Sequence, residues 1–115
     1  MGVRFEVRVN GRVVCVAGIR GDGELSVSLN RVQRSAARYP KNYHRRPHGR
    51  SLAAWSQEAI SMGVAGIRCS QQGSEHDRHV GWHQQDLRPG DEVIVRILPP
   101  GRSDRPKRRR AREAR

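Results

Sequence analysis

Alternation of apolar and polar side chains dominates the chain from its third residue. Residues 3–9, Val-Arg-Phe-Glu-Val-Arg-Val, are apolar at every second position, the period of a half-buried strand. Asn10-Gly11 follows, and because both residue types accept positive φ the pair predicts a two-residue hairpin turn. Residues 12–17 return as Arg-Val-Val-Cys-Val-Ala. Such a turn pairs Val9 with Arg12, Val7 with Val14 and Phe5 with Val16. Phe5, Val7, Val14 and Val16 then form a core face, with Glu6 set against Cys15 on the other.

A third alternating run, 24–30, points Leu25, Val27 and Leu29 inward, and the pattern extends as far as Val32. Leu29, Val32, Ala36 and Ala37 also fit the 3.6-residue period, so 29–37 reads equally as a helix. Residues 38–50 hold two prolines and no aliphatic side chain, which predicts a long exposed loop, an insertion spanning about 35–50. Ser51 to Ile60 suits a short helix, capped by Ser51, with Leu52, Trp55, Ala59 and Ile60 on one face and Gly63 at its end. Residues 62–69 read as a Gly-rich strand, 70–79 as a polar loop and 79–83 as a short, weak strand. Pro89-Gly90 suits the inner positions of a type II turn. Residues 92–98 give the clearest strand, with Val93, Val95 and Ile97 on one face, stopped by Pro99-Pro100-Gly101. Residues 101–115 are charged and lack aromatic and long aliphatic side chains, which predicts a disordered basic tail whose removal costs no stability. The expected fold is mainly β: one small antiparallel barrel or sandwich of about five strands within 1–100, with room for one short helix near 51–60.

The segments Asp86-Leu-Arg-Pro-Gly-Asp-Glu-Val-Ile-Val-Arg-Ile-Leu, Phe5-Glu-Val-Arg-Val-Asn-Gly and Gly21-Asp-Gly-Glu-Leu-Ser resemble a set of short, uncharacterised bacterial proteins of mainly β type that end in a Pro-Gly-Asp-Glu-Val turn and strand. The resemblance covers about half the chain and skips the 31–50 insertion. It implies a small stand-alone β domain and attaches no function.

Charge changes the picture more than composition does. The 115 residues carry a net charge of +12, and it is concentrated. Residues 31–50 hold seven cations and no acid, and residues 101–115 hold eight cations against two acids. The remaining chain is almost neutral, as suits a folded body, whereas a concentrated basic segment calls for an anionic partner or solvent. Of the 23 cations all but Lys41 and Lys107 are arginine, which suits bidentate phosphate contacts, although the arginine excess runs through the neutral body too and matches the codon bias of a GC-rich genome. No run approaches the length of a membrane span. The opening Met-Gly-Val-Arg-Phe-Glu alternates charge at once and reads as no secretory signal, so a cytoplasmic location is expected. Two cysteines make no disulfide framework.

Catalytic templates fail. There is no Gly-x-Ser-x-Gly elbow, P-loop or His-Glu-x-x-His. Asp91-Glu92 lacks the lysine two residues on that a nuclease would use, because Ile94 stands there, and reads as a turn. Cys15 reads as an inert packed thiol held neutral by Glu6. Cys69, His76, His79 and His83, with Asp77, offer metal-binding side chains, but their spacing matches no zinc pattern, so no metal or other cofactor is expected. The basic segments carry the functional expectation. In the loop, Arg38, Lys41, Arg45, Arg46 and Arg50 would meet phosphates, while Tyr39 and Tyr43 would stack on unpaired bases. In the tail, Arg105, Lys107, Arg108, Arg109, Arg110 and Arg112 form a polyanion-binding run. Anionic lipid is a poorer match, since the tail has no apolar anchor. The reading is non-enzymatic binding of DNA or RNA without sequence preference. The rival is an interaction module, an adaptor or regulatory subunit that binds an acidic protein through an exposed sheet edge or apolar patch. Nothing in the sequence sets an oligomeric state.

Overall fold

The computed structural model describes residues 2–35 and 57–111, the side chains of 109–111 excepted. The chain is mainly β. Its strands are β1 (Arg4–Val9), β2 (Arg12–Gly18), β3 (Gly23–Val32), β4 (Ala59–Arg68), β5 (Arg78–Leu87), β6 (Val93–Leu98) and β7 (Arg108–Ala111), with one 3-10 turn at Ser74–His76. They number seven among the described residues rather than about five. They form two antiparallel sheets, ordered β2-β1-β6 and β3-β4-β5-β7, which are not closed into a barrel. Val7, Val9, Cys15 and Ala17 of the first sheet, Met62, Val64, Val80 and Trp82 of the second, and Ile19 between β2 and β3 make one buried cluster.

The first hairpin forms where Asn10-Gly11 predicts it, with φ of 52° and 81° at the two residues. Val9 faces Arg12 and Arg8 faces Val13, but a β-bulge then shifts the register, so that Val7 faces Cys15 and Phe5 faces Ala17. The extra residue carries Cys15 and Ala17 inward and leaves Val14 and Val16 half-buried, correcting the expected core face of β2. It also moves Glu6 away from Cys15 to a position opposite Val16. β2 is the strand of its sheet that packs over β5, and its small inner side chains leave room there for Trp82, which is 1% exposed.

β3 reaches Val32, so residues 29–32 are extended rather than helical, and Leu29 is exposed instead of inward. Ala36 and Ala37 lie outside the described residues, as do residues 36–50 of the expected loop. Of the expected helix near 51–60, Gln57 and Glu58 are not helical and Ala59 and Ile60 open β4; the remainder lies outside the described residues. β4 carries a glycine where the chain is tightest: a Cβ on Gly66 would strike the Glu24 carbonyl and Ile19 Cδ1. β5 is twice the expected length. Its inner positions after Trp82 are His83, Gln85 and Leu87, opposite Val64, Met62 and Ile60, and two polar residues on a half-buried face hide the strand's period. His83 Nε2 and Gln85 Oε1 satisfy each other at 2.7 Å.

Residues 101–111 correct the expectation of a disordered tail. Beyond β6 the chain turns under Arg4, whose Nε donates to the Pro99 carbonyl at 2.8 Å and whose Nη1 donates to the Arg102 carbonyl at 2.7 Å. Gly101 lies close beneath that guanidinium, and a Cβ there, 2.9 Å from Arg4 Cζ, would make the arginine side chain shift. Asp104 then joins the two sheets. Its N–H donates to the Val16 carbonyl at 2.8 Å, and its Oδ2 accepts from the Val16 N–H at 2.8 Å. Its own carbonyl accepts from the Trp82 indole Nε1–H at 2.8 Å. The Lys107 N–H donates to the Gly81 carbonyl at 2.7 Å, and β7 pairs with β5. The run of charge concealed this because polar backbone and one acid, not apolar burial, hold the segment. Residues 112–115 lie outside the described residues.

Removing residues 103–115 is therefore expected to lower the melting temperature, because it uncovers Trp82 and leaves its indole N–H without this acceptor. Asp104→Ala alone should cost about 1–2 kcal/mol, or about 5–10 °C in a domain of this size, measured by circular dichroism. An unchanged melting temperature for the truncated chain would show that the segment adds nothing to the fold.

Candidate nucleic-acid interface

The strap fixes where the tail's cations stand. Because Lys107 is tied to Gly81, Arg108 falls opposite Gly81, Arg109 opposite Val80 and Arg110 opposite His79. Paired residues in an antiparallel ladder share a face, so one row of the outer face of the four-stranded sheet reads Ser26, Ala65, Gly81, Arg108 across β3, β4, β5 and β7. A second row reads Ser28, Gly63, Gln84. The face is low and polar, with no large side chain in its middle.

Exposed cations stand at two places on this sheet. Arg68 closes β4 directly opposite Arg78, which opens β5, one position beyond the outer-face pair Ile67 and His79 and therefore on the other face. Arg105, Lys107 and Arg108 are exposed along the β7 edge, and because β7 runs antiparallel to β5 with Ala111 opposite Arg78, they lie progressively farther from that pair. Among the described residues none of these five forms an ion pair, whereas Arg8 is paired with Glu6 and Arg31 with Glu58. Like charges placed opposite each other cost stability. The site thus combines tail residues singled out in the sequence with Arg68 and Arg78, which sequence reasoning missed because they belong to the near-neutral stretch. The available signal was their position at the two ends of the polar 70–79 loop, where a hairpin must bring them together. Arg4, one more cation in sequence, is a structural clamp with its guanidinium engaged by backbone carbonyls.

The loop candidates Arg38, Tyr39, Lys41, Tyr43, Arg45, Arg46 and Arg50 lie outside the described residues, as does Arg112. The roots of their loop are Val32 and Ala59, paired at the far end of β3 and β4. Six residues of β4 separate that pair from the row that contains Arg108, roughly 20 Å at the rise of a strand. The two basic segments thus join the same sheet at opposite ends.

The histidines and Cys69 are not gathered. His79 stands on the outer face opposite Ile67, His83 on the inner face opposite Val64, and Cys69 and His76 are exposed in the connection between β4 and β5. Asp77 is buried and caps that connection, its Oδ1 accepting from the Ser70 N–H at 2.8 Å. Asp91 and Glu92 form a turn, as expected. Asp91 Oδ2 accepts from the Arg88 N–H at 2.7 Å, and Asp91 Oδ1 accepts from Asn10 Nδ2 at 3.0 Å. These bonds, the one from Asn10 foremost, hold the Asp91 carboxyl below its ordinary pKa. Burial pushes the Cys15 thiol up to about 11, with the Asp104 charge adding to the shift, so the cause is not the Glu6 expected from the unbulged register. No protein-family model, curated protein or solved structure matches the chain.

Three outcomes follow for chemistry at these positions. At pH 8 a thiol reagent should modify exposed Cys69 in the folded protein and buried Cys15 only on unfolding; equal rates would contradict the packing of β2. Above pH 9 the unfolded chain ionises Cys15 and the fold does not, so stability should fall as pH rises toward 11. Asp91 acts with the opposite sign: its contribution is present above the ordinary carboxyl value of 3.8 and is lost as pH falls below it. Denaturant titrations of Asp91→Ala should accordingly show a deficit at pH 7 that closes in acid.

Proposed function

We propose that the protein is a cytoplasmic, non-catalytic nucleic-acid-binding protein that engages phosphates without sequence preference. The observation that carries this reading is the set of exposed cations on the four-stranded sheet that form no ion pair among the described residues, Arg105, Lys107 and Arg108 along the β7 edge and Arg68 with Arg78 where β4 ends and β5 begins. Crowded cations cost the fold stability, and a polyanion laid over them relieves that cost while releasing counterions. A strand of nucleic acid lying along the outer face of β3-β4-β5-β7 meets Arg108 on the β7 side and the roots of the 33–58 connection at the far end of β3 and β4. Tyr39 and Tyr43 supply stacking, which favours unpaired bases over duplex. No helix among the described residues is long and apolar enough to cross a membrane.

Salt-titrated binding to single- and double-stranded oligonucleotides tests the reading. Replacing Arg105, Lys107 and Arg108 together with alanine should weaken all nucleic acids and flatten the duplex salt slope by about 2.7, at about 0.9 for each phosphate no longer neutralised. Tyr39→Ala with Tyr43→Ala should instead weaken single strands by about 1–3 kcal/mol per stacked base and leave the slope almost unchanged. Absence of salt-dependent binding to any nucleic acid would overturn the proposal. Saturable binding to an acidic polypeptide, with none to nucleic acid, would assign the same cations to an acidic protein partner.

A further inference from the structure

We propose that β6 is a dimerisation strand, through which two copies of this chain pair antiparallel across a two-fold axis. The inference does not depend on the nucleic-acid reading; it rests on how the sheet edges are finished. The outer edge of β2 is occupied by Asp104, which takes both backbone groups of Val16. β5 is covered by β7, and the edge of β7 is a run of arginines, Arg108, Arg109 and Arg110. The edge strand β3 alternates polar residues, Glu24, Ser26, Ser28 and Asn30, on its outer face. Charge, polarity and covering segments are the means by which folded proteins keep strand edges from pairing. Among the described residues β6 has none of them except Arg96. It is an edge strand, and Ile94, Val95 and Ile97 are 46%, 40% and 67% exposed. They lie on both faces of the strand, so a partner that covers them must continue the sheet rather than sit on one side of it.

Self-complementarity and charge select a second copy as that partner. In an antiparallel pair related by a two-fold axis at Val95, the register sets Val95 against Val95, Val93 against Ile97 and Ile94 against Arg96 of the other copy. Apolar residues meet on the inner face, the Arg96 stem covers Ile94 on the outer, and Arg96 never faces itself. The turn and strand over 86–98 carry three acids and two arginines within a chain of net charge +12, so approach from this side meets little repulsion. The basic β7 edges stand beyond β2 and β5, away from the contact. At the Val93 end, an open groove of about 340 Å³ adds the apolar side chains of Leu29, Ile60, Leu87 and Val93, with Arg31, Arg88 and Asp91 also in its lining. The exposed parts of Leu29, Ile94, Val95 and Ile97, spread over both faces of the edge, amount to roughly 400 Å² of apolar surface per chain. Five paired residues and their flanks add backbone area toward the about 800 Å² that each partner gives to a stable interface.

Sedimentation equilibrium of the full chain should show a species of twice 13.0 kDa that dissociates on dilution. Val95→Lys and Ile97→Lys should each raise the dissociation constant at least tenfold, with an unchanged far-ultraviolet spectrum showing that the monomer remains folded. In a Cys69→Ser background, Val95→Cys should cross-link two chains under mild oxidation far more than Ile94→Cys, since only position 95 meets its own copy on the axis. A monomer at all concentrations overturns the proposal, whether hydrogen exchange finds β6 bare or covered by residues 36–56 of the same chain. So does a dimer that neither lysine variant weakens.

Discussion

The fold depends on a hydrogen bond from the indole of Trp82 to the carbonyl of Asp104. Among the described residues Trp82 is the largest fully buried side chain, and it brings a polar N–H into the core that must find an acceptor. Leaving such a donor unsatisfied costs about 1–3 kcal/mol, a large part of the stability of a domain this small. The acceptor comes from a segment that has no apolar reason to be there. Asp104 reaches it only because Arg4 and Gly101 turn the chain at the end of β6 and because Val16 holds Asp104 by both of its backbone groups. One buried indole thereby dictates the path of ten residues and ties the three-stranded sheet to the four-stranded one along a side where no strand ladder joins them.

The same path decides the electrostatics. A tail free of the body could spread its charge through solvent. Tied to Gly81, it instead delivers Arg108 to a fixed place opposite Gly81 on the outer face of the sheet, where the chain supplies no counter-charge within ion-pair distance among the described residues. Rigid placement raises the local potential and lowers the ordering entropy an incoming anion must overcome. Packing and binding are thus coupled: the residue that completes the core, Asp104, is also the one that orients the cations.

Much of the fold was legible in the residues. Alternation located β1, β3 and β6, the Asn10-Gly11 turn returned β2, a Gly-rich apolar run marked most of β4, and Pro89-Gly90 marked the turn into β6, because those features depend on neighbours in sequence. What escaped depends on partners across the molecule. The bulge in β2 exchanges Val14 and Val16 for Cys15 and Ala17, a choice set by the sheet above and invisible to a period of two. β5 was cut short because Gly81, the bulged Trp82 and the polar His83 and Gln85 break its alternation. Charge composition marked residues 101–111 as solvated, whereas one acid and several carbonyls were enough to anchor them. Of the candidate site, the tail cations were legible as a run of charge; Arg68 and Arg78 were not, since only the hairpin between β4 and β5 makes them neighbours.

Asn10 occupies the corner where β1, β2 and β6 meet, and its amide is held at both atoms: Nδ2 by Asp91 and Oδ1 by the Glu92 N–H, which donates at 2.9 Å. An asparagine followed by glycine is also the pair most prone to spontaneous deamidation, in which the next residue's backbone nitrogen attacks the side-chain carbonyl carbon and expels ammonia through a cyclic imide. Here that attack must first break both bonds, so the corner protects its own amide from ageing. Once lost, the amide cannot be replaced by its product. A carboxylate at position 10 turns the donor facing Asp91 into an acceptor of like charge, and the molecule's chemical lifetime becomes that of a single side chain.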